Sequence, residues 1–202
     1  MNVLVIIANP QKGSFNHAIA ETVVDTLKQI GHKVVFHDLY LEDFNPIIKA
    51  EEILPHTKLD ANLQRHCEEL CAADGIVIIH PNWWGQPPAI LKGWIDRVFR
   101  AKVAYRFEET GNGEGIPVGL LKAKKAVVFN TSNTKEEREQ ETFGDPLETL
   151  WKKCIFGLCG VKNVKRKTFS VVITSTQQQR QAWLKEAAEI IVEQFPKNTT
   201  VG

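Results

Sequence analysis

Sulfur is scarce in this 202-residue chain, which holds four cysteines and a single methionine. Cys67 and Cys71 are four apart and Cys154 and Cys159 five apart, so neither pair has the two-residue gap of a zinc ribbon or a redox pair. Burial is the simplest fate of such thiols. Only His66, beside Cys67 and Cys71, gives a faint metal-like grouping, and no metal is assigned. Charge of one sign is also missing. Lys+Arg at 25 against Asp+Glu at 24 leave a formal charge of +1, without the basic or acidic excess of a nucleic-acid or membrane-surface binder. Apolar runs stop at about five or six residues, against the roughly 20 needed to span a bilayer, so membrane insertion is not expected. Ahead of Val3-Leu4-Val5-Ile6-Ile7 there is no charged-then-apolar signal, and a cytoplasmic location is the expectation. Linker, repeat and low-complexity tract are absent, and residues 1–202 read as a single domain with one sizeable core. No G-x-G-x-x-G follows a strand, and no G-x-x-x-x-G-K-[ST] occurs.

What the chain does have is alternation. Short apolar runs at 3–7, 33–37, 75–79 and 125–129, with a further strand near 168–173, are separated by helix-like segments at 14–30, 58–73, 88–100, 146–158 and 176–195. Runs apolar throughout are strands covered on both faces, which predicts an α/β/α sandwich around a five-stranded parallel sheet with right-handed crossovers. Residues 39–54 read as an extended connection, 101–121 as an irregular excursion or short hairpin, and 130–141 as a polar loop. Gly111-Asn112-Gly113-Glu114-Gly115 opens no helix and reads as a turn. Helix 88–100 is apolar at 90, 91, 94, 95, 98 and 99, a stripe wide enough to meet both the sheet and a second subunit, with burial by the chain's own excursion as the alternative.

Ligands of open parallel sheets gather beyond the carboxyl ends of the strands. Three loops therefore matter. The first, Asn9 to His17, ends at a helix start, where free N–H groups and the macrodipole favour an anion such as phosphate; Gly13 lets the backbone approach, and Ser14 and Asn16 add donors. A plain strand-to-helix turn capped by Ser14 is the alternative. In the second, Pro81-Asn82-Trp83-Trp84-Gly85 sets two consecutive indoles that cannot both enter one core, leaving one for a flat ring. The third, Asn130-Thr131-Ser132-Asn133, offers short polar groups suited to a ring edge. The charged run 135–139 reads as solvated surface, with a lid bringing Arg138 to the site as the functional alternative.

Ser14-Phe15-Asn16, Asp38-Leu39-Tyr40, Phe44-Asn45-Pro46-Ile47-Ile48, Trp83 with Gly85, Pro88-Ala89-Ile90-Leu91-Lys92-Gly93-Trp94, Arg97-Val98-Phe99 and Ala104-Tyr105 recur in order. Together, over about residues 2 to 160, they resemble the NAD(P)H:quinone oxidoreductase (DT-diaphorase) family. The resemblance implies a flavodoxin-like fold, bound FMN or FAD, NAD(P)H as co-substrate, a homodimer with the site at the subunit interface, and two-electron ping-pong reduction of quinone-like acceptors. It places Ser14, Phe15 and Asn16 at the flavin phosphate and ribityl chain, and Pro81, Asn82, Trp83, Trp84 and Gly85 along the isoalloxazine. Thr131, Ser132 and Asn133 fall at the pyrimidine edge, and Tyr105 and Phe107 in a substrate slot closed from the partner subunit. Departures also count. The Tyr and His that mammalian members carry in the loop before Gly144-Asp145 are missing, with Phe143 at the His position and no Tyr in 135–141, so no catalytic residue is assigned. The segment between Glu52 and Leu63 lacks the family's long insertion, and Asn9 replaces a His, which favours FMN. Two other readings stay open: a flavodoxin-type electron carrier, and a flavoprotein regulatory subunit of a potassium-efflux system.

Overall fold

The computed structural model describes residues 1–54, 57–109, 111 and 114–197. Strands β1 (Asn2–Ile7), β2 (Lys33–Asp38) and β3 (Gly75–Pro81) alternate with helices α1 (Phe15–Gln29), α2 (Ala61–Ala72) and α3 (Ala89–Val98). A hairpin, β4 (Tyr105–Glu109) with β5 (Gly115–Gly119), leads into β6 (Lys125–Ser132). Then come α4 (Glu136–Phe143), α5 (Pro146–Thr149) running on into π-type turns over Leu150–Gly157, β7 (Asn163–Ser170) and α6 (Gln177–Gln194). All five strands of the main sheet are parallel, in the order β2-β1-β3-β6-β7.

The apolar strands are double-faced, as expected. Leu4, Ile6, Ile76, Ile78 and Val128 pack toward α2, α3 and the π-type turns. Their neighbours Val3, Val5, Ile7, Val77, Ile79, Val127 and Phe129 pack toward α1 and α6. Alternate residues thus serve two cores, so neither face tolerates a polar residue and the runs are unbroken. Helix α6 is fixed at its start by a capping box, in which Thr176 accepts from the Gln179 amide and Gln179 from the Thr176 amide.

Three expectations need correction. Residues 130–141 are not a loop: β6 runs on to Ser132 and Glu136–Phe143 is helical. That helix buries no residue and so carries no apolar period; it ends at Gly144 in the left-handed conformation. The last strand lies earlier than 168–173, because Asn163–Lys167 is polar enough to hide its period on an edge. The wide apolar stripe of α3 is covered by its own chain. Leu91, Trp94, Ile95, Val98 and Phe99 are all buried, and residues 44–54 lie across the helix. A Cβ on Gly93 would meet the Pro46 carbonyl oxygen at 2.2 Å. Arg97 ties the strap down, donating to Asn45 O at 2.7 Å and to both Glu52 oxygens at 2.7 and 2.9 Å. The glycine-dense turn falls partly on Asn112 and Gly113, outside the described residues. Among the described residues no helix is long and apolar enough to cross a membrane.

Candidate cofactor-binding site

The strand order reverses between β1 and β3, and there the loops after β1, β3 and β6 meet around a cavity of about 990 Å³. Asn9, Ser14, Phe15, Asn16, Pro81, Asn82, Trp83, Trp84, Gly85, Thr131, Ser132 and Asn133 all line it. Tyr105 and Phe107 do not. They stand edge to face on the β4–β5 hairpin, with Phe107 largely exposed.

The first loop ends in a helix start whose cap is unusual. Ser14 has the extended backbone of an N-cap but no capping bond; its hydroxyl lies 2.8 Å from His17 Nδ1 instead. The His17 and Ala18 amides bond back to Ser14 O, which leaves those of Phe15 and Asn16 outside that pairing. Asn16 is buried and fixes the floor, since its Nδ2 donates to Thr131 Oγ1 at 3.0 Å and joins the first loop to the end of β6.

The second loop is a tight turn. Trp83 and Gln86 exchange backbone bonds at 3.0 and 2.9 Å, while Trp84 and Gly85 take φ of 57° and 69°. Only glycine accepts that backbone without strain at position 85. A Cβ there would also meet Pro146 Cγ at 2.6 Å, so the turn rests on the start of α5. Because the Trp83 amide closes the turn, it is not free to stabilise negative charge; the Trp84 and Gly85 amides lie outside the pairing. Both indoles are exposed, Trp84 completely.

Beneath this turn lies a buried histidine. His80 Nδ1 donates to Pro81 O at 2.8 Å, and its Nε2 takes the Trp151 indole N–H at 3.0 Å and the Asn130 amide at 2.8 Å. An indole only donates, so the tautomer follows. Burial pushes His80 down to about 4 and keeps the ring neutral. Arg166 extends the network, reaching Asn130 Oδ1, Glu148 and Asp145 and tying the α4–α5 corner to the sheet.

The third wall is partly spent on structure. Asn133 Oδ1 accepts from the Ile173 amide and Ser132 Oγ from that of Thr134. Asn82 is the exception. Its Nδ2 donates to Glu139 Oε1 at 3.0 Å, yet its buried Oδ1 has no partner. Leaving a buried acceptor unmet costs about 1–3 kcal/mol, which a ligand donor would recover.

Several lining residues were not visible in the sequence: Glu139 on α4, Pro146, Val172 and Ile173 after β7, and Arg180 on α6; Phe143, flagged only at the position of a family His, lines it too. The charged run does roof the cavity, through Glu139 rather than Arg138. Its signal, a glutamate three residues into a helix without an apolar face, is indistinct from solvated surface. Arg180 stacks its guanidinium 5.9 Å from the Phe15 ring centre and donates to Ser175 and Val172.

Comparison with known proteins gives a consistent picture. A family model described as a flavodoxin-like fold matches residues 1–194. An uncharacterized NAD(P)H oxidoreductase of Haemophilus influenzae is 34% identical over 196 residues, covering 94% of this chain and 93% of that protein. An FMN-dependent NADH:quinone oxidoreductase of Pelagibacter ubique is 28% identical over 164 residues, 77% of this chain and 81% of that one. Among solved structures, the NAD(P)H:quinone oxidoreductase of Methanothermobacter marburgensis superimposes with a TM-score of 0.78 at 26% identity, over 95% of both chains.

Proposed function

The chain belongs to the flavodoxin-like fold family, and from that premise we propose that it is an FMN-dependent oxidoreductase reducing quinones or similar acceptors with NAD(P)H. The observation that carries the reading is the convergence of three strand-end loops on one cavity, with unspent groups on the first and second of them. Its volume is at the upper end of small-molecule sites and suits a nucleotide-sized guest. The Phe15 and Asn16 amides at the start of α1 suit a phosphate, the indoles a flat ring, and the unmet Asn82 Oδ1 a ring N–H. These groups fit a flavin mononucleotide.

Bound there, the flavin would supply the two-electron relay between NAD(P)H and acceptor. The protein's part is orientation. His80 and Arg166 brace the Pro81–Gly85 turn from below, so the Trp84 and Gly85 amides are preorganised for the ring. Helix α4 roofs part of the cavity, with Glu139 latched to Asn82. FMN is preferred to FAD because the chain passes from the turn Ala50–Ile53 to α2 at Ala61 without an insertion to cover an adenosine.

A second copy of the chain completes the reading. Ile47, Ile48, Ile53 and Leu54 on the strap over α3, and Phe107 and Ile116 on the hairpin, are exposed apolar residues. A homodimer would cover them and bring Tyr105 and Phe107 to the partner's cavity. The test is to purify the protein, identify the flavin released on denaturation, and follow menadione reduction at varied NADH, NADPH and quinone. Parallel double-reciprocal lines and released FMN are expected. Absence of any flavin-dependent NAD(P)H oxidation would overturn the proposal.

A further inference from the structure

Ser14, His17 and Asp38 form a chain of hydrogen bonds that ends at the cavity wall. Ser14 Oγ lies 2.8 Å from His17 Nδ1, and His17 Nε2 lies 3.1 Å from Asp38 Oδ2. The other Asp38 oxygen accepts from the Tyr40 and Leu41 amides, each at 3.1 Å. With donors on both oxygens, Asp38 can only receive from His17, so Nε2 carries the hydrogen. A neutral imidazole has one N–H. Nδ1 is then a lone pair, and the hydrogen of the Ser14 hydroxyl is committed to it. In this state Ser14 shows the cavity lone pairs alone, and a phosphate, which is an acceptor at every oxygen, meets an acceptor.

Charge sharpens the conflict. Among the described residues lining the cavity, Arg180 of α6 is the one cation, already engaged with Ser175 and Val172, and Glu139 of α4 is an anion. The charged group bonded to His17 is Asp38 at the end of β2; along the chain the neighbouring charges are Glu21 one turn on in α1 and Lys12 on the preceding loop. None of these supplies the missing donor at Ser14.

Resting on the reading of the cavity as a flavin site, we propose that the FMN phosphate enters this corner together with one solvent proton, which is taken up at His17 Nδ1. The new Nδ1–H donates to Ser14 Oγ, and the freed hydroxyl hydrogen turns to the phosphate. Asp38 continues to accept from Nε2–H. Nothing else changes charge: the phosphate stays a dianion, and the imidazolium lies between it and Asp38, two opposite charges that stabilise it. His17 is a positioning residue, acting on the ligand through Ser14.

The test is calorimetric titration of the apoprotein with FMN and with riboflavin near pH 8, where a phosphate monoester with a second pKa of about 6 is already a dianion. Repeating it in buffers of different ionisation enthalpy counts the protons. Near one proton taken up per FMN and none per riboflavin is expected. By linkage, FMN affinity falls with rising pH wherever that proton is taken up, about tenfold per unit at full uptake, while riboflavin affinity stays level. His17→Gln should bind FMN with no uptake and no slope. Independently of any variant, imidazole ¹⁵N shifts should turn His17 from neutral to doubly protonated on adding FMN, but not riboflavin. FMN binding to the wild type without uptake, or uptake unchanged in His17→Gln, would overturn the inference and leave the flavin reading standing. Failure of both flavins to bind would overturn the reading of the cavity, and this inference with it.

Discussion

Two places at the carboxyl end of one sheet are built from similar side chains and reach opposite states. At the end of β2, His37 Nδ1 lies 2.8 Å from Glu42 and its Nε2 2.6 Å from Glu69, and the Trp94 indole donates to His66 Nδ1 at 3.2 Å. His66 Nε2 faces Glu42 Oε2 at 3.5 Å, long for a hydrogen bond. Ligand atoms of His37, Glu42 and His66 lie within 4.8 Å of one another, a spacing that would admit a metal ion. The indole decides against it: with Nδ1 accepting from Trp94, the His66 hydrogen sits on Nε2, which can donate to Glu42 but not ligate. At the centre of the sheet, by contrast, Asn82 Oδ1 is unmet, two indoles stand in the open, and two residues of one turn have positive φ. A strand end becomes a ligand site where its groups are left unspent. The β2 cluster uses most of its groups on itself, with His66 Nε2 its one buried polar atom left without a hydrogen bond.

Acid should strain both places. Burial holds His80 near 4, and burial together with the neighbouring His37 holds His66 near 3, against 6.5 for a free ring. The unfolded chain therefore binds these protons first, and stability falls as pH drops from about 6.5 toward 4. For His80 the 2.5-unit depression corresponds to about 3 kcal/mol. Urea midpoints across that range should show the loss in the wild type and a shallower one in His80→Gln; equal slopes would remove the neutral-histidine account.

Next in size is His37→Ala, which leaves two carboxylates without their histidine partner. A loss of about 2 kcal/mol in urea unfolding is expected, with FMN affinity unaltered. Weakened FMN binding in that variant would erase the distinction between the regions. Trp83→Ala should do the reverse, lowering FMN affinity about tenfold through lost ring contact while the unfolding midpoint barely moves; fluorescence titration would read it. Smallest is Glu139→Gln, which keeps the bond to Asn82 but changes its charge. A two- to threefold change in FMN dissociation rate is expected, at about 0.5 kcal/mol, and stopped-flow exchange would measure it.

Most of the scaffold was legible because its physics is local. Val3–Ile7 and Gly75–Ile79 are apolar at every position, and only a strand between two helical layers needs that. The three loops followed from the strand ends. What escaped was set by tertiary contact: α4 has no buried face to read, β7 is polar along an edge, and the cover of α3 came from a strap some 45 residues earlier in the chain. In the site, the Trp83–Gly85 turn was visible as a motif, but the use of the Trp83 amide in closing it was not. Glu139, Val172, Ile173 and Arg180 reach the cavity through topology alone, and no local pattern marks them.

The most direct measurement is a crystal structure of the protein with FMN. The account predicts the ring against the Pro81–Gly85 turn with Thr131–Asn133 at its edge, and the phosphate at the Phe15 and Asn16 amides beside Ser14. A flavin seated elsewhere, or a cavity still empty at saturating FMN, would contradict it.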